Sequence, residues 1–204
     1  MSIKAIIFDY GQVISLPQDS AALDRLAELA GVTRDRFETV LWALRGEYDR
    51  GTISALEYYR EILSELGVSK DEKSIKEMVA LDMESWSGVN PETVTLMEDV
   101  KKAGYLLGIL SNMPHEFLAW CRANVPAVSL AQFSLFSCEL GLVKPEEAIY
   151  RELLSTAGVK SEELVFFDDN AENIKSALAL GIRAILWKDP EDARRELSSL
   201  GVRL

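Results

Sequence analysis

The chain opens with an apolar, β-branched run, Ile3 to Phe8, broken only by Lys4 and ending at Asp9. Such a run reads as a strand buried on both faces of a parallel sheet, which puts Asp9 in the loop at its carboxyl end. From Asp19 to about Trp86 the period becomes helical. Asp19 or Ser20 caps a helix ending at Gly31, and Thr33 caps one carrying Phe37, Val40, Leu41 and Leu44. Ser54 with Glu57 forms a capping box ahead of Tyr58, Ile62 and Leu66, with Gly67 as terminator, and a fourth helix runs from Asp71 to Trp86. Four helices with no strand between them predict a small bundle inserted after the first strand.

Beyond Gly88, helices and strands alternate. Asn90-Pro91-Glu92 starts a helix that Lys101-Lys102-Ala103-Gly104 ends, with basic residues in its last turn. Strands follow at Tyr105–Leu110, Phe133–Ser137, Leu164–Phe167 and Arg183–Trp187, separated by helices that start at Pro114, Pro145, Asn170 and Asp189. This rhythm predicts an α/β fold: a doubly wound, mostly parallel five-stranded sheet of Rossmann-like type. Residues 1–16 and 88–204 form the core, and residues 17–87 a helical cap.

Composition narrows the function. With 33 acidic against 22 basic residues, the net charge of −11 opposes nucleic-acid backbone and anionic membrane surface as partners. No apolar run approaches the roughly 18 residues that span a bilayer, and the first residues lack the pattern of a signal peptide. A cytoplasmic protein, monomer or homodimer, is expected. Cys121 and Cys138 sit in apolar surroundings without metal-ligand spacing and read as buried thiols.

Ligands of an open α/β sheet bind beyond the carboxyl ends of its strands. Asp9, Ser111 and the Asp168-Asp169 pair occupy three such ends, and Lys144 lies in the loop after the third strand. Singly, each has a plain structural reading, since Asp and Ser cap helices and a lone Lys is usually solvated. Together, three carboxylates converging on one crevice repel unless a cation or a proton sits among them. Magnesium suits an all-oxygen site shared with a substrate phosphate. Lys144 and the Ser111 hydroxyl then face the oxygens of a transferring phosphoryl group, and Asp9 is left to attack.

Four segments carry a resemblance. Phe8-Asp9-Tyr10-Gly11-Gln12-Val13-Ile14, Leu110-Ser111-Asn112, Gly141-Leu142-Val143-Lys144-Pro145 and Phe166-Phe167-Asp168-Asp169-Asn170 resemble, in order, the four motifs of the haloacid dehalogenase superfamily, most of whose members are phosphatases. The resemblance implies that Asp9 attacks phosphorus to give an aspartyl-phosphate that water hydrolyses. It also implies a magnesium ion held by Asp9, the Gly11 carbonyl and Asp169. Asp168 is a further ligand or orients the metal's water-bound face. Lys144 tethers nucleophile and phosphate, and Ser111 with the Asn112 amide binds a phosphate oxygen. The substrate implied is a small phosphate monoester such as a sugar phosphate.

One position departs from the pattern. Most phosphatases of this superfamily carry an aspartate two residues after the nucleophile as general acid and base, and this chain has Gly11. A sub-group with glycine there includes sugar-phosphate phosphatases. His115, the only histidine, reads as a helix-start surface or cap-contact residue ahead of a substitute acid. In the cap, helical spacing favours Trp42 and Tyr48 as core packing, with Trp86 a further aromatic and Arg45 and Arg50 as pocket candidates, Arg45 taken as substrate-binding. Two other functions compete: 2-haloacid dehalogenation, which needs no metal and leaves the acidic pair unexplained, and a non-catalytic phosphate- and magnesium-binding regulator.

Overall fold

The computed structural model of the chain describes residues 2–204. At its centre lie β1 (Ala5–Phe8), β2 (Leu106–Ser111), β3 (Phe133–Phe136), β4 (Leu164–Asp168) and β5 (Arg183–Leu186), ordered β3-β2-β1-β4-β5 with every pairing parallel. Successive strands add outward from β1 to β3 on one side and from β4 to β5 on the other. The topological switch therefore falls between β1 and β4, where a crevice opens at the strand ends. Asp9 follows β1 and Asp168 closes β4, so the predicted acidic residues flank that switch.

The two-residue period of the strands builds two cores. Ile6 and Phe8, Leu107 and Ile109, and Val165 and Phe167 enter one of them, packed against α6 (Pro91–Lys102), α7 (His115–Asn124) and α11 (Pro190–Ser199). Ala5 and Ile7, Leu110, and Leu164 and Phe166 enter the other, against α9 (Glu147–Ala157) and α10 (Ala171–Ala179). The sheet is thus covered on both faces, as the buried apolar strands require. The third strand stops at Phe136, one residue short of the expected end, because Ser137 opens the short helix α8 (Ser137–Leu140).

Between β1 and α6 lie α1 (Ser20–Ala30), α2 (Arg34–Ala43), α3 (Arg45–Arg50), α4 (Ala55–Glu65) and α5 (Glu72–Ser85). Their starts follow the sequence signals: Asp19 accepts from the Ala21 N–H at 2.9 Å, Asp71 from the Ser74 N–H at 2.8 Å, and Ser54 with Glu57 completes a capping box. Thr33 stands at the start of α2 without a side-chain capping bond. Leu26, Phe37, Leu41, Tyr58, Tyr59, Ile62 and Met78 form a core of their own, separate from the two cores of the sheet.

Five helices stand where the sequence predicts four. The helix after Thr33 breaks at Leu44 (φ −96°, ψ −2°), next to Arg45-Gly46, and α3 begins directly after it. Gly46 costs helix continuity about 1 kcal/mol relative to alanine. The break turns Arg45 toward Asp82 of α5, their charged groups 3.5 Å apart.

Helix α3 and the start of α4 tie this unit to the elements around the sheet. The Ser137 hydroxyl donates to the Asp49 carbonyl and accepts from the Met113 N–H at 2.8 Å. Arg50 reaches Glu146 at 2.6 Å and the Gly141 carbonyl at 3.0 Å, and the Ala55 N–H donates to Glu116 at 2.9 Å. Gly51 ends α3 with φ +80°. A Cβ there would lie 2.9 Å from the Cys138 carbonyl oxygen and 2.7 Å from His115 Nε2, so only glycine permits this approach. No helix among the described residues is long and apolar enough to cross a membrane.

Candidate active site

Asp9 leaves β1 directly into one wide turn, residues 10–14, closed by the Ser15 N–H on the Tyr10 carbonyl at 2.8 Å. Its Oδ1 accepts from the Tyr10 N–H at 2.7 Å and lies 2.9 Å from Lys144 Nζ. Burial pushes the Asp9 carboxyl up to about 7; the Lys144 charge works against that shift, and Asp168 and Asp169 work with it. Removing the Asp9 proton therefore calls for more positive charge than Lys144 alone supplies.

Lys144 is almost wholly buried. Its ammonium donates to Asp168 at 2.6 Å and to the Leu110 carbonyl at 3.2 Å, besides facing Asp9. Burial alone would discharge it, but Asp168 and Asp9 outweigh burial and hold its pKa above the usual lysine value. Asp168 is fixed in turn by the Asn170 N–H at 2.8 Å and by Asn173 Nδ2, 3.0 Å from both of its oxygens. These bonds make Asp168 the residue that orients Lys144 and the β4–α10 turn. Asn173 was not foreseen; its only signal was position, one helical turn after an acidic pair.

Asp169 is half-buried, and burial followed by the Asp168 charge raises its pKa. Gln12 Nε2 donates to Asp169 Oδ2 at 2.6 Å, from a residue in the left-handed region (φ 56°). A non-glycine residue at such a φ is uncommon and costs about 1–3 kcal/mol. Gln12 was likewise not singled out. One oxygen from each of Asp9, Asp168 and Asp169 lies within 4.8 Å of the others, so a hard cation finds an all-oxygen donor set.

Ser111 ends β2, its hydroxyl reaching only the Asn112 carbonyl, at 3.5 Å. The Asn112 carboxamide pairs in both directions with the Lys144 backbone, at 2.9 Å and 2.8 Å. Its side chain thus positions the lysine loop, and its main-chain N–H is the part left to bind an oxygen. These groups, with Gly11 and Asn173, line a cavity of about 310 Å³.

The cavity's other wall comes from the helical unit: Trp42, Arg45, Asp49 and Trp86. Trp42 is 49% exposed and stands edge-on to Trp86 at 6.3 Å, so it is a cavity wall and not the core residue its spacing suggested. Within α2 the fully buried residues are Phe37 and Leu41, and Trp42, one residue and so about 100° around the helix from Leu41, faces away from that stripe. Tyr48 is buried, as expected. Arg45 reaches the cavity but donates to Asp49 at 2.8 Å and lies over the Tyr48 ring at 5.2 Å. Arg50 binds Glu146 outside the cavity, correcting its place among the pocket candidates. His115 is exposed, packs against Gly51 and does not line the cavity, so its contact is with the helical unit. Asp49, like Gln12 and Asn173, lines the cavity without a signal of its own in the sequence.

The family model for haloacid dehalogenase-like hydrolases matches residues 3–181. The chain is 28% identical to bifunctional epoxide hydrolase 2 of Mus musculus over 98% of its own length, and it spans only 39% of that relative. It is 26% identical to a phosphatase of Mycobacterium tuberculosis, covering 98% of this chain and 96% of the relative. It is also 26% identical to (S)-2-haloacid dehalogenase 4A of Burkholderia cepacia, over 90% of this chain and 82% of the relative. Among solved structures, a haloacid dehalogenase family enzyme of Bacteroides thetaiotaomicron superposes with a TM-score of 0.76 at 22% identity, covering 97% of this chain and 99% of that one. The same enzyme in complex with magnesium and inorganic phosphate superposes at 0.71 with 20% identity, over 92% and 95% of the two chains. With a match that runs from β1 through α10, and so across all four strand-end segments, this chain belongs to the haloacid dehalogenase-like hydrolases.

Proposed function

We propose that the protein is a magnesium-dependent phosphatase that hydrolyses small phosphate monoesters, sugar phosphates among them, through an aspartyl-phosphate on Asp9. The observation that carries this reading is the convergence of Asp9, Asp168 and Asp169 within 4.8 Å beside a fully charged, buried Lys144. A haloacid substrate is already anionic and gains nothing from two further carboxylates, whereas a phosphoryl group shared with a cation does. The mycobacterial relative named a phosphatase and the Bacteroides complex with magnesium and phosphate agree with this choice.

The donor set fits magnesium: Asp9 and Asp169 would hold it with the Gly11 carbonyl, while Asp168 orients the surroundings. Bound there, the ion supplies charge neutralisation for the nucleophile and the phosphoryl oxygens. Lys144 holds the Asp9 carboxylate and offers positive charge to the phosphate, and Ser111 with the Asn112 N–H receives a phosphoryl oxygen. An Asp9 oxygen bonds to phosphorus as the ester oxygen leaves, and water then displaces Asp9 to release phosphate. Residues 17–87 act as a cap, with Trp42, Trp86 and the Arg45–Asp49 pair against the leaving group, where substrate choice is made.

The test is a panel of phosphate esters and 2-haloacids assayed with magnesium and with excess chelator, for the parent and for Asp9→Asn. Magnesium-dependent phosphate release, abolished by Asp9→Asn, is expected. Halide release that survives the chelator would replace this reading with dehalogenation.

A further inference from the structure

Gly11 leaves the reacting centre without an acid on the β1 loop, and His115 stands outside the cavity. Of the carboxylates that line the cavity, Asp49 alone stands apart from the Asp9–Asp169 cluster that would hold the metal. Asp49 projects into it from α3, its Oδ1 bound to Arg45 Nε at 2.8 Å and its Oδ2 receiving no hydrogen bond from the described residues. We propose that Asp49 is the general acid and base of this enzyme, carried on the helical unit instead of on the nucleophile's own loop. The proposal rests on the phosphatase reading above and adds the residue that completes it.

The surroundings of Asp49 favour a retained proton. Its side chain is only 12% exposed, and a single guanidinium, Arg45, faces two buried carboxylates, Asp49 at 2.8 Å and Asp82 at 3.5 Å. Burial raises the pKa of both acids, with Arg45 opposing. The other groups bearing on them are Tyr48 of α3, Tyr58 and Tyr59 of α4, Trp86 at the end of α5, Gln18, which donates to Asp82 at 3.3 Å, and Lys144 across the cavity. The tyrosines stay neutral, since burial drives each of them upward. One positive and two negative buried charges are most cheaply reconciled by a proton on one carboxylate. A phosphate dianion entering beside Asp49 holds that proton more firmly still.

The position is fixed by a contact that no packing argument requires. The Asp49 carbonyl takes the Ser137 hydroxyl, and Ser137 takes the Met113 N–H two residues beyond Ser111. The acid is thereby hung from the strand end that binds phosphate. In the first step an Asp9 oxygen forms a bond to phosphorus while the bond from phosphorus to the ester oxygen breaks, and the Asp49 proton passes to that oxygen so that a neutral alcohol leaves. In the second, water attacks phosphorus and gives a proton to the Asp49 carboxylate. The bond from phosphorus to Asp9 breaks, and phosphate leaves with both aspartates restored.

The experiment measures kcat/KM across phosphate esters of graded leaving-group pKa, from p-nitrophenyl phosphate to simple alkyl phosphates, in the parent, Asp49→Asn, Gly11→Asp and the double variant. An aryl leaving group departs without a proton and an alkoxide does not, so Asp49→Asn should widen the aryl-to-alkyl preference by about 10²–10⁴-fold. Gly11→Asp should narrow it again in the Asp49→Asn background, since a Cβ at Gly11 meets only Trp86, at 3.8 Å. Equal loss on aryl and alkyl esters, or an unchanged slope in Asp49→Asn, overturns the assignment of Asp49 and leaves the phosphatase reading intact. A parent that hydrolyses none of the esters overturns both.

Discussion

Lys144 Nζ lies 2.9 Å from Asp9 Oδ1, both residues buried, so the carboxyl and its cation enter the fold as a pair. Breaking such a pair by removing one partner costs about 3–5 kcal/mol, because the other charge is left buried alone. Lys144→Met should lower the unfolding free energy by that amount at neutral pH and reduce kcat/KM by at least about 10²-fold. Denaturant titration and steady-state kinetics check it, and a variant as stable as the parent would show that Asp9 and Asp168 find other partners.

The two neighbouring aspartates should separate in a metal titration. Asp168 accepts from Lys144, Asn170 and Asn173, whereas Asp169 accepts from Gln12 alone among the described residues. Asp168→Ala should unfold readily with or without magnesium. Asp169→Ala should match the parent in chelator and lose most of the rise in Tm that magnesium gives the parent, a rise that follows RT ln(1 + [Mg]/Kd). A full magnesium-dependent rise in Asp169→Ala would remove it from the metal site.

At the edge of the cavity, Trp42 meets Trp86 edge-on at 6.3 Å, an arrangement worth about 0.5–1.5 kcal/mol. Trp42→Ala should lower the unfolding free energy by about that amount and, by removing part of the cavity wall, raise KM with kcat little changed. A fall in kcat at constant KM would place Trp42 in the chemical step instead.

The Arg50–Glu146 pair, at 2.6 Å, ties α3 to the loop before α9 near the surface. Arg50 holds the Glu146 carboxyl below its usual pKa. A lowered carboxylate pKa contributes stability that is present above the unfolded value of 4.5 and is lost as pH falls through the lower folded value. Arg50→Ala should therefore cost little, about 0.2–1 kcal/mol at pH 7 and low salt, and nothing in strong acid or high salt. Thermal melts at pH 7 and pH 3 test the sign.

Why some of this was legible and some not follows from where each signal resides. Asp19, Ser54, Asp71 and Asn90 announce helix starts because capping is a bond between neighbours in sequence. The strands show because burial on two faces leaves no room for polar residues, and Asp9, Ser111 and Asp168 show because they interrupt those runs. Asp49 does not. It becomes a cavity residue only through the break at Leu44, which neither proline nor a capping residue marks and which Gly46 merely allows. Gln12 is hidden for a similar reason: its left-handed backbone is set by the turn closing on Tyr10 and by Asp169, 157 residues away. Trp42 sits next to the buried Leu41 in α2 but about 100° around the helix from it, facing the cavity instead of the core.

The central place of β1 bears on how the molecule breathes. Its backbone is bonded on both sides, to β2 and β4, and the Asp9 N–H continues that ladder to the Phe167 carbonyl at 2.9 Å. Freeing Asp9 means opening the middle of the sheet, which amounts to global unfolding, whereas α3 is six residues long and is held by fewer bonds, the buried Ser137–Asp49 bond and the exposed Arg50–Glu146 pair among them. Amide hydrogen exchange at Asp9 should fall among the slowest in the chain and at Asp49 well above it. The Asp9 carboxyl thus sits in the most durable part of the protein, while the wall facing it can open and reclose many times in the lifetime of one folded molecule.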